Sequence, residues 1–233
     1  MSTDYDVGKG DKIHAGKPVT VDRYTPGARV NHWITATSLV LLALSGLALF
    51  HPALFFLTEL FGGGPLTRVI HPWIGVLLFF SFFGLFLRFW KANLWKREDG
   101  TWLARIRDVL TGHDERLPEV GKYNAGQKFV FWAMSVLIIV LITTGIVIWD
   151  QYFFEFTTIG QKRWAVLVHS IAAIVIISVW IIHVYAAIWV RGTIRAMTRG
   201  SVSGGWAWRH HRKWLRELVA KSSKGKSGRT PAE

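Results

Sequence analysis

Apolar and polar positions separate into long blocks along this chain, not into the two-residue alternation of a strand or the three-to-four spacing of a surface helix. Four stretches, 30–58, 69–87, 129–149 and 164–190, contain no Asp, Glu, Lys or Arg. A helix needs about 20 predominantly apolar residues to cross the hydrocarbon core, and each stretch supplies them. Pro52 stops the first helix near Phe50, and Gly62-Gly63-Gly64-Pro65 belongs to the connection that follows. The pattern predicts spans at 33–50, 67–90, 126–149 and 164–190, an all-α membrane protein with a four-transmembrane-helix bundle. It divides the chain into an arm (1–31), a transmembrane domain (32–190) and a tail (191–233). Trp33, Trp90, Trp95, Trp149, Trp164 and Trp189 lie at or near the span ends, where an amphipathic indole favours the headgroup zone.

Charge orders these spans. The 233 residues carry a net +13, which in a soluble domain would suggest nucleic acid. Of the 28 Lys and Arg, five lie in the arm, nine in 88–128 and eleven from Arg191 onward. Only Arg68, Lys162 and Arg163 remain for the two connections on the opposite side. By the positive-inside rule both termini and the central loop are cytoplasmic, in a bacterial inner membrane, and topology replaces nucleic acid as the reason for the charge. The first 31 residues contain no apolar run of signal-peptide type, so the first span is expected to direct insertion. The tail interleaves Trp206, Trp208 and Trp214 with Arg209, Arg212, Lys213 and Arg216, the pattern of a basic amphipathic helix on the membrane surface. Residues 222–233, rich in Ser, Gly and Lys, read as disordered, and the first 20 residues read alike or as a segment that folds against a partner. With no cysteine, the chain alone holds no disulfide, no covalently attached c-type haem and no iron–sulfur cluster.

The histidines carry the chemistry. His32, His71, His169 and His183 lie within or at the ends of spans, where ionisable side chains are costly and usually functional. His169 and His183 are 14 residues apart in one span. At about 100° per residue both imidazoles fall on one helix face, about 21 Å apart along the axis. Alternating helix directions place His32 and His183 at the inner level and His71 and His169 at the outer. Two ligand pairs at two depths match what two bis-histidine b-type haems require. Taken singly, each histidine also suits a hydrogen bond across helices or a proton relay. Gly46, 14 residues after His32, and Gly75, four after His71, share the histidine faces, where they make room for a macrocycle or for close helix packing. His51 competes for the outer site but turns about 100° from the His32 face and reads as interfacial. His14, His113, His210 and His211 fall in polar segments and read as solvated, and Met134 reads as packing.

The run Gly121-Lys122-Tyr123-Asn124-Ala125-Gly126-Gln127-Lys128 opens the third span. On the residues alone Asn124 reads first as a helix cap with ordinary interfacial anchoring, and Asn124 and Gln127 also suit donation to a quinone carbonyl.

With these residues in view, the chain resembles the cytochrome b, or gamma, subunit of respiratory membrane-bound formate dehydrogenases. The wider group includes the cytochrome b subunits of membrane-bound nickel–iron hydrogenases. The resemblance runs from about Arg23 to Glu217. It rests on His32-Trp33, Leu44-Ser45-Gly46, the stretch 68–72 with His71-Pro72, the run 121–128, His169, His183 and the stretch 206–217. The run 121–128 and the tail select the formate dehydrogenase branch. The resemblance implies two haem b groups, an outer one on His71 and His169 and an inner one on His32 and His183. It implies menaquinone or ubiquinone as acceptor, with Asn124, Gly126 and Gln127 matching the pocket motif. It also implies two partners: an iron–sulfur beta subunit with a single membrane anchor, and a molybdenum- or tungsten-dependent alpha subunit that oxidises formate. Electrons would then run inward to quinone, with protons taken from the cytoplasm and no formate chemistry on this chain. The rival readings are a hydrogenase cytochrome b subunit, and a non-redox anchor or transporter.

Overall fold

The structure, a computed structural model, describes residues 11–16 and 18–227. Strands β1 (Ile13–His14) and β2 (Thr20–Asp22) precede helices α1 (Pro26–Phe50), α2 (Gly64–Phe89), α3 (Arg97–Ala104), α4 (Ala125–Ile148) and α5 (Ile159–Trp189). Helix α6 (Thr193–Arg199), strand β3 (Ser201–Ser203) and helices α7 (Gly204–His210) and α8 (Arg212–Ser227) complete the chain. Four of these helices, α1, α2, α4 and α5, are long and apolar enough to cross a membrane. They coincide with the predicted spans apart from earlier starts in α1, α2 and α5; Gly64 and Pro65, expected in the connection, open α2, where a proline needs no amide partner. Contacts divide the chain into two compact units: Val30–Arg88 with Trp132–Tyr185, and Met1–Arg29 with Phe89–Phe131 and Ala186–Glu233.

The first unit is the transmembrane bundle. Its innermost layer takes one residue from each long helix, Leu39, Leu78, Ile138 and Ile176, with Met134 and Trp180 packed around it. Leu39 lies midway between His32 and Gly46, and Ile176 midway between His169 and His183. An apolar layer therefore separates the two histidine levels. Helix α1 ends at Phe50 as Pro52 requires. His51 caps the following 3-10 segment, Pro52–Phe61, its Nδ1 accepting from the Ala53 amide at 3.2 Å. Gly62 and Gly63 then take positive φ values of 82° and 95°. That turn favours glycine because a side chain meets its own backbone there. Helix α2 runs unbroken through Pro72.

The second unit is built on buried polar contacts. Strands β1, β2 and β3 form one antiparallel sheet, with Val21 opposite both Ile13 and Val202. Val21, Ala196, Val202, Trp206, Ala207, Trp214 and Leu218 make its core. Arg23 is buried, with Tyr24, Tyr123, Trp206 and Trp214 all 5.0–5.7 Å from its guanidinium carbon. Lys122 Nζ binds both Asp11 oxygens at 2.6 and 2.7 Å, and Lys128 Nζ binds Asp99 at 2.7 Å.

This unit departs from the sequence expectations in three ways. Trp206 and Trp214 are core residues instead of membrane anchors, leaving Trp208 exposed, because the tail breaks into α7 and α8 at His211 and folds its indoles inward. His211 is buried, not solvated. Residues 222–227 continue α8, and Ile13–His14 and Thr20 pair in the sheet, where tertiary packing offsets poor local propensity. The remaining positions read as disordered, 1–10, 17 and 228–233, lie outside the described residues.

Candidate functional site

Four helices of the bundle each contribute histidine or a histidine's support. His32 projects from α1, His71 from α2, and His169 and His183 from α5. The fold brings them together as two pairs. The rings of His32 and His183 have centroids 6.4 Å apart, and those of His71 and His169 are also 6.4 Å apart. The depth argument made the same two pairings. Metal–imidazole nitrogen bonds of about 2 Å on both sides, with roughly 1 Å more to each ring centre, put the centroids of two rings sharing one metal about 6 Å apart. Both pairs meet that spacing. Two imidazoles alone do not complete a coordination shell, and the described residues contain no group of three or more His, Cys, Asp or Glu that could hold a bare ion. The donor set suits a metal whose remaining ligands arrive with it, as in a macrocycle.

A cavity of about 1100 Å³ surrounds the His71–His169 pair. It is at the upper end of the range for cofactor sites and almost wholly apolar, with Arg68 among its few charged residues. Gly46, Gly75 and Gly145 line it. A Cβ on Gly46 would sit 3.4 Å from His71 Cε1, and one on Gly145 would sit 3.6 Å from His169 Cε1. Gly75 has no neighbour within 4 Å of such a Cβ, so a larger residue there would project into open space. The glycines therefore keep clear a volume that a flat ligand can fill.

Two hydroxyls complete the His71–His169 level. Ser45 Oγ is 2.7 Å from His71 Nδ1, and Thr144 Oγ1 is 2.9 Å from His169 Nδ1. The sequence reading passed over Thr144 and Gly145. Their signal was a repeat: 41–50 and 140–149 align without a gap, with Ser45-Gly46 opposite Thr144-Gly145 and each glycine four residues before an aromatic, Phe50 or Trp149. At the other level the buried Nδ1 of His32 has no hydrogen-bond partner.

Asn124, Gly126 and Gln127 lie in the other unit. Asn124 Oδ1 accepts from the Gln127 amide at 2.9 Å, and Gln127 Oε1 accepts from the Asn124 amide at 3.1 Å. This reciprocal box starts α4. It occupies both amide oxygens and leaves the two NH₂ groups as donors. Gly126 admits Trp102, whose ring would lie 3.2 Å from a Cβ at that position.

Comparison with known proteins shows the family. The prokaryotic cytochrome b561 family matches residues 23–200. The cytochrome b556(fdo) subunit of formate dehydrogenase from Escherichia coli strain K12 is 42% identical over 199 residues, covering 85% of this chain and 93% of that protein. The cytochrome b556(Fdn) subunit of nitrate-inducible formate dehydrogenase from the same strain is 39% identical, covering 85% and 92%. A formate dehydrogenase cytochrome b556 subunit from Haemophilus influenzae is 36% identical over 208 residues, covering 89% and 87%.

Proposed function

The chain belongs to the prokaryotic cytochrome b561 family, and from that premise we propose that it is the dihaem cytochrome b subunit of a membrane-bound formate dehydrogenase. In this reading it carries electrons from an iron–sulfur partner to a quinone on the cytoplasmic side. The observation that carries the reading is the equal 6.4 Å spacing of two histidine pairs. Haem b, when bound, would supply a one-electron redox iron, and the paired imidazoles would hold it. His71 and His169 hold the outer group and His32 and His183 the inner one. The glycine-lined cavity excludes water around the outer site.

The remaining roles follow from charge and donor chemistry. The basic bias supports a cytoplasmic side for both termini and for the central loop between the second and third spans. The amide NH₂ groups of Asn124 and Gln127 donate to the quinone oxygens, and the protons of the quinol come from the cytoplasmic water. Because this chain has no cysteine, the cluster relay belongs to a beta subunit with its own membrane anchor. Formate is oxidised on a molybdenum- or tungsten-dependent alpha subunit.

Reduced-minus-oxidised absorbance and haem extraction on the purified complex test the reading: two b-type haems per chain are expected, and none would refute it. In proteoliposomes, formate oxidation outside should drive charge across the membrane. Electroneutral turnover would overturn the inward path.

A further inference from the structure

Ser45 is fully buried and Thr144 half-buried, each within an apolar helix. A hydroxyl there usually spends its single proton on the carbonyl four residues back. Both do so: Ser45 Oγ donates to the Leu41 carbonyl at 2.7 Å and Thr144 Oγ1 to the Val140 carbonyl at 2.7 Å. Each oxygen is also 2.7–2.9 Å from a histidine Nδ1. A carbonyl cannot donate, so all four contacts are satisfied only if each imidazole donates its Nδ1–H to the hydroxyl. His71 and His169 are thereby held in the tautomer whose Nε2 carries the free lone pair. The neighbouring Gly46 and Gly145 lie against the same rings: a Cβ on either would stand at van der Waals contact with the imidazole.

We infer that Ser45-Gly46 and Thr144-Gly145 are matched seats that position His71 and His169 as ligands and lower the potential of the iron between them. The inference rests on the dihaem reading. A ligand imidazole that donates its second N–H is more electron-rich at the other nitrogen, which favours the oxidised metal. At the His32–His183 level the buried Nδ1 of His32 has no such partner. The asymmetry sets the His71–His169 side lower in potential, so electrons arriving there run toward His32 and His183.

The test is a redox titration of the intact complex, followed optically and by electron paramagnetic resonance. His183→Ala, which keeps the His71–His169 site, assigns the two signals. In Thr144→Val, which keeps the shape of the side chain and removes its oxygen, the outer potential should shift upward and the resonance of that site should change. Ser45→Ala should act in the same direction, and the double variant more strongly than either. Thr144→Ser, which retains the hydroxyl, should stay near wild type. Unchanged potentials in Thr144→Val and Ser45→Ala with both haems retained would overturn the inference, as would loss of the outer haem in Thr144→Ser and Thr144→Val alike. Absence of haem from the wild-type complex would instead remove the dihaem reading, and this inference with it.

Discussion

Two histidine environments in this molecule use the same device and end differently. In the basic unit, His211 Nδ1 donates to the Gly121 carbonyl at 2.7 Å, and its Nε2 lies 3.4 Å from a guanidinium nitrogen of Arg23. In the bundle, His71 and His169 donate Nδ1–H to hydroxyls at 2.7 and 2.9 Å, and their rings face one another across 6.4 Å. Fixing the tautomer is common to both. The second nitrogen makes the difference: where a cation donates to it, the ring is a structural bracket, and where it meets another imidazole beside a cavity, the ring is available as a ligand.

The largest effect that can break this comparison is loss of a ligand. His169→Ala should halve the haem content of the purified complex, from two b-type haems to one, and His32→Ala should do the same at the other level. Haem extraction normalised to protein reads both. Retention of two haems in either variant would dissolve the distinction between ligand and bracket.

Next in size is removal of the bracket. His211→Leu puts an apolar side chain of comparable bulk in its place, leaves the Gly121 carbonyl without its donor and removes one of two acceptors near the Arg23 guanidinium, the Lys122 carbonyl remaining. Unsatisfied buried groups of this kind cost about 1–3 kcal/mol each. The basic unit should lose about 2–4 kcal/mol of stability, visible as faster hydrogen exchange across 202–218, while both haem spectra remain. Loss of a haem signal in this variant would place His211 with the ligands.

The bundle was far more legible in the sequence than the basic unit. Span boundaries follow from local hydropathy, and the histidine pairs follow from depth along those spans. What was missed there, Thr144, was hidden because a hydroxyl in an apolar helix normally serves only its own backbone. The basic unit depends on partners far apart in the chain: Asp11 with Lys122, Arg23 with His211, Glu98 with Lys213. No periodicity records such pairs, and composition points the wrong way. Trp206, Trp214 and His211 sit among arginines and read as surface, yet they pack inside around Arg23 with Tyr24 and Tyr123. The cap at Asn124 and Gln127 was legible as spacing, since residues three apart at a helix start can bond reciprocally.

The smallest effect is a pH slope, and it sharpens the comparison because it belongs to the bracket. Burial first, and the Arg23 charge second, hold the His211 imidazole well below its ordinary value of 6.5. Lys122 and His210 add positive charge nearby, and the Gly121 bond opposes them only in part. The folded unit therefore keeps the ring neutral under conditions where the unfolded chain protonates it. Above about pH 7.5 neither state binds the proton, and stability is unaffected. As pH falls through 6.5 the unfolded chain binds more protons than the folded one, so stability drops, by at most about 1.4 kcal/mol per pH unit for one group. His210, also lowered by burial, is partly exposed and paired with Asp114, so it adds a smaller slope of the same sign. Hydrogen exchange of 202–218, corrected for the intrinsic dependence on pH, should thus accelerate between pH 6.5 and 5.5. Below about pH 5 carboxylate titration overlaps, which sets the useful window. The slope should shrink in His211→Gln, which replaces the titrating ring with a neutral donor and acceptor. A flat profile in the wild-type chain over that interval would mean that the ring is not held neutral between Gly121 and Arg23, and the contrast with His71 and His169 would fail on the bracket's side.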